Sequence, residues 1–127
     1  MVIRVIRVAK YMTNCIFCKI VNKEVPTVFL YEDNLVVAFK DIRPIAPVHV
    51  LVIPKKHIET IADFKDKDEP LAGRLVVATK KIAEQLGIAA SGYKILFRVG
   101  DDGGQEVQHV HLHLLGGAKL SENIKPI

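Results

Sequence analysis

The sequence predicts an α+β fold with an antiparallel sheet, on three observations. Short runs suited to strands recur with turn residues between them. One long stretch carries apolar residues at helical spacing. A chain of 127 residues has the length of one domain with a core of its own. Strands joined by short turns, with a single long helix inserted among them, describe α+β rather than a parallel sheet.

The elements follow in order. Ile16 to Asn22 reads as a short amphipathic helix, ended by Asn22 ahead of Pro26. Thr27 to Glu32 and Leu35 to Phe39 read as two strands, with Glu32-Asp33-Asn34 as the turn between them. After the loop holding Pro44 and Pro47, the β-branched run Val48 to Ile53 gives a third strand. Asp66, Asp68 and Glu69 ahead of Pro70 mark a helix start. Leu71, Leu75, Ala78 and Ile82 then share one face, and Gly87 stops the run. Tyr93 to Val99 is the fourth strand and His109 to Leu115 the fifth, with Gly100-Asp101-Asp102-Gly103-Gly104 as the loop between them. The expectation is five strands and two helices, in a single domain over 12–127.

Composition narrows the function. Half the residues are apolar and a quarter are charged, the profile of a soluble globular domain. No stretch reaches the ~18 uninterrupted apolar residues a membrane span needs. The formal charge is +4, but Arg4, Arg7 and Lys10 carry three of those charges in the first eleven residues. The body is therefore nearly neutral, with no basic stripe and no interleaved aromatics, which argues against a nucleic-acid polymer as partner. Residues 1–11 are apolar but cut by Arg4 and Arg7, so they lack the unbroken apolar region of a signal peptide. They are expected to be an N-terminal extension, either an extra edge strand or residues ahead of a true start at Met12. The two cysteines, Cys15 and Cys18, are spaced C-x-x-C, which suits a metal or redox pair better than a disulfide framework. A cytoplasmic setting follows.

The most informative segment is His109-Val110-His111-Leu112-His113-Leu114-Leu115. On a strand, side chains alternate faces, so three imidazoles would share one face with neighbours ~6.6 Å apart. Val110, Leu112 and Leu114 would point into the core. Ionisable rings in such a row are costly unless they serve something. Rings at i, i+2 and i+4 on a strand diverge, whereas a three-histidine zinc site needs convergent ligands. A row suits division of labour along a phosphate. Neutral imidazole is a competent nucleophile near pH 7, provided one ring nitrogen donates a hydrogen bond and leaves the other's lone pair free.

The triplet resembles the signature of the histidine-triad (HIT) superfamily, and its surroundings resemble the Hint branch, the purine nucleoside phosphoramidases. Four stretches match in order: Ile16-Phe17-Cys18-Lys19-Ile20, Ala38-Phe39-Lys40-Asp41-Ile42, His49 to His57, and Gly103-Gly104-Gln105 leading into the triad, with Gly116-Gly117 behind it. The resemblance spans Cys15 to Gly117 and implies a hydrolase acting through a covalent nucleotidyl-histidine. His111 would attack the phosphorus of a purine nucleoside 5′-phosphoramidate, its other ring nitrogen held by the carbonyl of His109. His113 would lie against the phosphate oxygens, with backbone N–H groups near Gly104 and Gln105 assisting. His49 would hold the histidine network from behind, and Glu106 stands where some relatives carry a proton-donating serine. The candidate catalytic set is therefore His111, His113, His49 and Glu106. Asp41 would bind the ribose hydroxyls, and Ile16, Phe17, Phe39, Ile42 and Leu51 would form the base slot. Read without the resemblance, the five apolar residues are ordinary core and Asp41 a turn cap.

The resemblance further implies a structural zinc site from Cys15, Cys18, His57 and His109, four ligands with no open position. It also implies a homodimer in which Leu71 to Leu86 lies at the interface. Three departures stand out: Arg98 falls where the branch usually has asparagine, Glu106 replaces serine, and the C-terminus is short and lacks tryptophan. Two other functions stay open: a dinucleoside polyphosphate hydrolase, and a nucleotide-binding scaffold whose hydrolysis is incidental.

Overall fold

The structure is a computed structural model that describes residues 14–127. The expected extension over 1–11 and the start at Met12 lie outside the described residues. Helix α1 spans Ile16–Val21, with the Cys15 sulfur accepting from the Cys18 backbone N–H at its first turn. Strands β1 (Tyr31–Glu32), β2 (Val36–Lys40) and β3 (Val48–Pro54) follow. Two short 3-10 turns, Ile61–Asp63 and Asp66–Asp68, lead into helix α2 (Glu69–Gln85). Strands β4 (Tyr93–Phe97) and β5 (Leu112–Gly116) complete the chain. All pairings are antiparallel, in the order β1-β2-β3-β5-β4.

The turn at Asp33 shows why the first strands reverse where they do. Its Oδ1 accepts from the N–H groups of Leu35 (2.7 Å) and Val36 (2.9 Å), as a short carboxylate does at a turn. Helix α2 begins where expected, with Pro70 in its first turn, and Gly87 (φ +76°) follows its end. Buried Asp68 steadies the entry by accepting from the Lys65 N–H (2.9 Å) and from Lys56 Nζ (3.1 Å).

Both faces of the central strands are covered. On one face Leu71, Leu75, Ala78 and Ile82 of α2 pack against Val36, Ala38, Val50, Val52, Leu112 and Leu114. On the other, Phe17 and Ile20 of α1 pack against Val37, Phe39, Leu51 and Ile53. With a period of two, every residue from Val36 to Phe39 is therefore buried. Each large side chain hidden this way contributes about 2 kcal/mol.

Two strands are shorter than the sequence suggests. The strand expected over Thr27 to Glu32 is in the ladder only at Tyr31 and Glu32; the Thr27 hydroxyl donates instead to the Val25 carbonyl (3.2 Å). Val25, Pro26 and Thr27 edge a cavity, and the Leu30 N–H donates to the Ala38 carbonyl of β2 (2.8 Å). The fifth strand begins at Leu112, not His109. Its last pair with β3 is Val52↔Leu112, because β3 ends at Pro54, whose ring removes a donor. Upstream of that pair, the Val110 N–H turns to the Ile58 carbonyl (2.8 Å).

Candidate active site and adjacent metal-binding cluster

Register places the site on the α1 face. Phe39 pairs with Leu51 and Leu51 with His113, so three neighbouring strands present one side chain each along a row. One step along, the Asp41 N–H donates to the His49 carbonyl (3.0 Å), which brings Asp41 and His49 side by side. A cavity of about 770 Å³ opens over these residues, lined also by Ile16, Phe17, Ile42, Gly104, Glu106 and His111. Of the five apolar residues expected in the base slot, Phe17, Phe39 and Leu51 are buried while Ile42 is 90% exposed and Ile16 41%. All five border the cavity. The ring of Phe17 meets His111 edge-on, with centroids 5.1 Å apart.

The triad rings are not an evenly spaced row, because only His113 lies on the ladder. Those of His111 and His113 are 4.9 Å apart between centroids and tilted. His109 turns away into a second cluster. Val110, Leu112 and Leu114 do enter the core.

Hydrogen bonds assign the tautomers. His111 Nδ1–H donates to the carbonyl of His109 (2.8 Å), which leaves the Nε2 lone pair free. Burial pulls His111 below the ordinary histidine range despite that bond. Behind it, the Ile45 N–H donates to His49 Nδ1 (3.2 Å), so a neutral His49 carries its proton on Nε2. That N–H faces His113 Nδ1 at 2.9 Å and Asp41 Oδ2 at 3.3 Å. His113 accepts at Nδ1 and so bears its own proton on Nε2, a buried atom with no partner among the described residues. Burial, followed by the charges of His111 and His49, holds His113 at about 4. Asp41 fulfils the turn-cap reading as well, its Oδ1 accepting from the Arg43 N–H (2.9 Å).

The loop ahead of the triad is held by its own hydrogen bonds. The Gly104 N–H donates to the Asp101 carbonyl and the Gln105 N–H to the Gly100 carbonyl, each at 3.0 Å. The amides of these two residues are thus engaged within the loop. The Gln105 side chain is buried, donating to the carbonyls of Glu59 (2.6 Å) and Val107 (3.0 Å) and accepting from the Gly100 N–H (3.1 Å). Glu106 is exposed on the rim. Arg98, read from the sequence only as a departure, stands in the cavity wall. Its position one residue past β4, opposite the glycine loop, was the signal.

A second cluster lies beside the first. Donor atoms of Cys15, Cys18, His57 and His109 all fall within 4.8 Å of one another. His109 Nδ1 is 3.4 Å from the Cys15 sulfur, 3.6 Å from that of Cys18 and 3.1 Å from His57 Nδ1. The His109 Nε2–H donates to the Pro54 carbonyl (2.9 Å), so its Nδ1 lone pair points into the group. Burial first, and then the hydrogen bond and charge of Cys15, push the Cys18 thiol up to about 12. This donor set could hold a metal ion.

An antiparallel five-stranded sheet with three histidines at alternate positions, above a cavity with an acidic residue at one end, defines a class. The sequence profile of the HIT domain matches residues 22–120, and the chain belongs to that family. Among its relatives is the purine nucleoside phosphoramidase of Escherichia coli K12, 48% identical over 105 residues, which cover 83% of this chain and 88% of that protein. Protein HitA of Neisseria gonorrhoeae is 46% identical, over 83% of this chain and 97% of its own. Among solved structures, a HIT family hydrolase from Legionella pneumophila is 48% identical with a TM-score of 0.83, the match covering 86% of this chain and 97% of that one. A histidine triad protein from Clostridium difficile is 44% identical with a TM-score of 0.84, over 87% and 96%.

Proposed function

We propose that the protein hydrolyses the bond between a purine nucleoside 5′-monophosphate and an amine. The observation that carries this reading is the 2.8 Å bond from His111 Nδ1–H to the His109 carbonyl, which leaves a neutral Nε2 lone pair as nucleophile. In the first step Nε2 attacks the phosphorus, the P–N bond breaks, and the leaving nitrogen takes a proton from solvent at the cavity mouth and departs as the amine. Water then attacks the nucleotidyl-histidine and releases the monophosphate and His111. His113 Nε2–H would donate to a phosphate oxygen as charge develops there. His49 would hold His113 in that tautomer, and Glu106 at the rim would receive the departing amine. Phe17, Phe39 and Leu51, with Ile16 and Ile42 at the mouth, would sandwich the base, and Asp41 would accept from the ribose hydroxyls. Gly104 and Gln105 would shape the phosphate loop.

The neighbouring cluster fits zinc. In a tetrahedral site with two cysteine and two histidine ligands, donor–donor edges are about 3.3–3.8 Å. The separations of 3.1 to 3.6 Å from His109 Nδ1 and the 3.1 Å from the Cys18 sulfur to His57 lie close to that. Bound there, zinc would supply a structural cross-link between α1 and the triad segment. Free cysteines in such a role agree with a reducing, cytoplasmic setting. No helix among the described residues is long and apolar enough to cross a membrane. We also infer a homodimer, supported by exposed Val76 and Val77 on α2 and exposed Tyr93 and Ile95 on edge strand β4. A monomeric mass by light scattering would contradict it.

The test of the reaction compares wild type with His111→Ala on a fluorogenic adenosine phosphoramidate. Loss of the nucleophile should lower turnover by roughly 10⁴-fold or more. Equal turnover by the two proteins would remove His111 from that role.

A further inference from the structure

We infer that the Gln105 carboxamide is a positioning residue for the reaction: it fixes the Val107 carbonyl, and through it the His109 backbone that selects the tautomer of His111. The inference rests on the reading of His111 as the nucleophile. Gln105 is 9% exposed, and its side chain spends both of its N–H donors inside the protein. One goes from Nε2 to the Glu59 carbonyl (2.6 Å) and the other to the Val107 carbonyl (3.0 Å), while Oε1 accepts from the Gly100 N–H (3.1 Å). What the side chain grips is therefore the segment that leads into the triad.

Two features make that grip bear on the nucleophile. First, the Val107 carbonyl accepts twice, from Gln105 Nε2 and from the His109 N–H (2.9 Å). The His109 carbonyl in turn receives the His111 Nδ1–H (2.8 Å). Successive bonds thus run from the Gln105 side chain through Val107 and His109 to the nucleophilic ring. Second, residues 105–111 precede β5 and lie outside its ladder. They are anchored instead on consecutive carbonyls beyond β3: Ile58 takes the Val110 N–H (2.8 Å) and Glu59 takes Gln105 Nε2. The same stretch supplies His57 to the metal-binding cluster. A carboxamide is the side chain this place requires, because two carbonyl oxygens need donors and one N–H needs an acceptor. A glutamate of the same shape would set oxygen against oxygen, and a methionine would leave all three groups without their partner. Once Val107 is released, the His109 carbonyl is free to move off His111. The ring proton can then settle on Nε2, the atom that must attack.

The test separates positioning from binding and from folding. The full chain as wild type, Gln105→Met, Gln105→Glu and Gln105→Asn would be compared in three measurements. These are turnover of an adenosine phosphoramidate, AMP affinity by calorimetry, and nitrogen NMR of the His111 ring, which distinguishes Nδ1–H from Nε2–H. Each variant is checked for cooperative melting and assayed well below its midpoint. Gln105→Asn, which keeps an amide on a shorter arm, carries the test if the other two do not fold. In the methionine and glutamate variants kcat should fall roughly 10- to 100-fold, the cost of misplacing a reacting group by about 1 Å. The asparagine variant should lose less. AMP affinity should change by less than about twofold, since Phe17, Phe39 and Leu51 are held by α1, β2 and β3. The NMR should show His111 losing its Nδ1 proton in the slow variants. Unchanged kcat in the folded variants overturns the inference. So does AMP affinity falling as far as kcat, which would make Gln105 a nucleotide contact. Slower turnover with His111 still protonated on Nδ1 overturns it too, leaving Gln105 a part of the scaffold alone. A wild type no faster than His111→Ala discards the nucleophile reading itself, and the inference with it.

Discussion

Replacing His113 by asparagine should change how stability depends on pH, because this buried ring is neutral when folded. An unfolded histidine takes up a proton near 6.5, whereas His113 in the fold does so at about 4. The folded pKa is depressed, so the folded state binds fewer protons and stability rises with pH. The contribution is intact above the unfolded value and disappears as pH falls from 6.5 toward 4. Linkage with those two values gives a loss of about 2.5 kcal/mol between about pH 7.5 and about pH 4.5. His113 is only 8% exposed, so solvent does little to screen the effect. Urea denaturation across that range should show wild type losing about 1–2 M more of its midpoint than His113→Asn. Comparing the two proteins cancels losses they share, from the other histidines or from protonation of metal ligands. Parallel midpoint curves would refute both the burial argument and the neutral tautomer drawn for His113.

Two more perturbations test the scaffold around the site. Gly103→Ala would place a Cβ 2.3 Å from the Val99 carbonyl oxygen and 2.7 Å from its nitrogen, both backbone atoms that cannot step aside. The loop from Arg98 to Gln105 should be displaced, lowering the melting temperature and phosphoramidase turnover together; a variant matching wild type in both would show the loop to be tolerant. Purified protein should carry about one zinc per chain by elemental analysis. A strong chelator should then lower the melting temperature, and turnover with it, since His109 bridges the two sites. Protein without zinc when prepared under reducing conditions, or a chelated protein melting as before, would remove the structural metal.

Much of the fold was legible because its signals are local. Leu71, Leu75, Ala78 and Ile82 at helical spacing, Pro70 ahead of them and Gly87 behind defined α2 without any tertiary information. The alternation through Val110, Leu112 and Leu114 likewise gave the core face of the last strand. What the sequence misjudged depended on partners distant along the chain. Nothing in Thr27 to Leu30 says that the strand joins the ladder only at Tyr31. Nothing near His109 says that β3 ends at Pro54 and withdraws the ladder. Gly104 and Gln105 were matched by a glycine-rich pattern, but which carbonyls take their amides is a property of the folded loop. Arg98 is only an oddity in the sequence; that its side chain lies beside Gly104 in the cavity wall is a property of the fold.

The end of the ladder at Leu112 explains how one short segment serves two sites. Were His109 on the strand, its ring would stand in line with His111 and His113 and compete for the same cavity. Released from the ladder, the chain is instead drawn across by the Val110 N–H bonding Ile58, the residue after His57. That crossing delivers the His109 ring to His57 and to the cysteines of α1. Its carbonyl remains behind, where it receives the His111 Nδ1–H. A single residue therefore has its side chain in the metal-binding cluster and its backbone on the nucleophile. Fixing the His109 ring fixes the carbonyl, and the carbonyl selects the tautomer that leaves the His111 lone pair free. By this coupling a ligand set remote from the phosphate would govern the rate of the reaction as well as the stability of the fold.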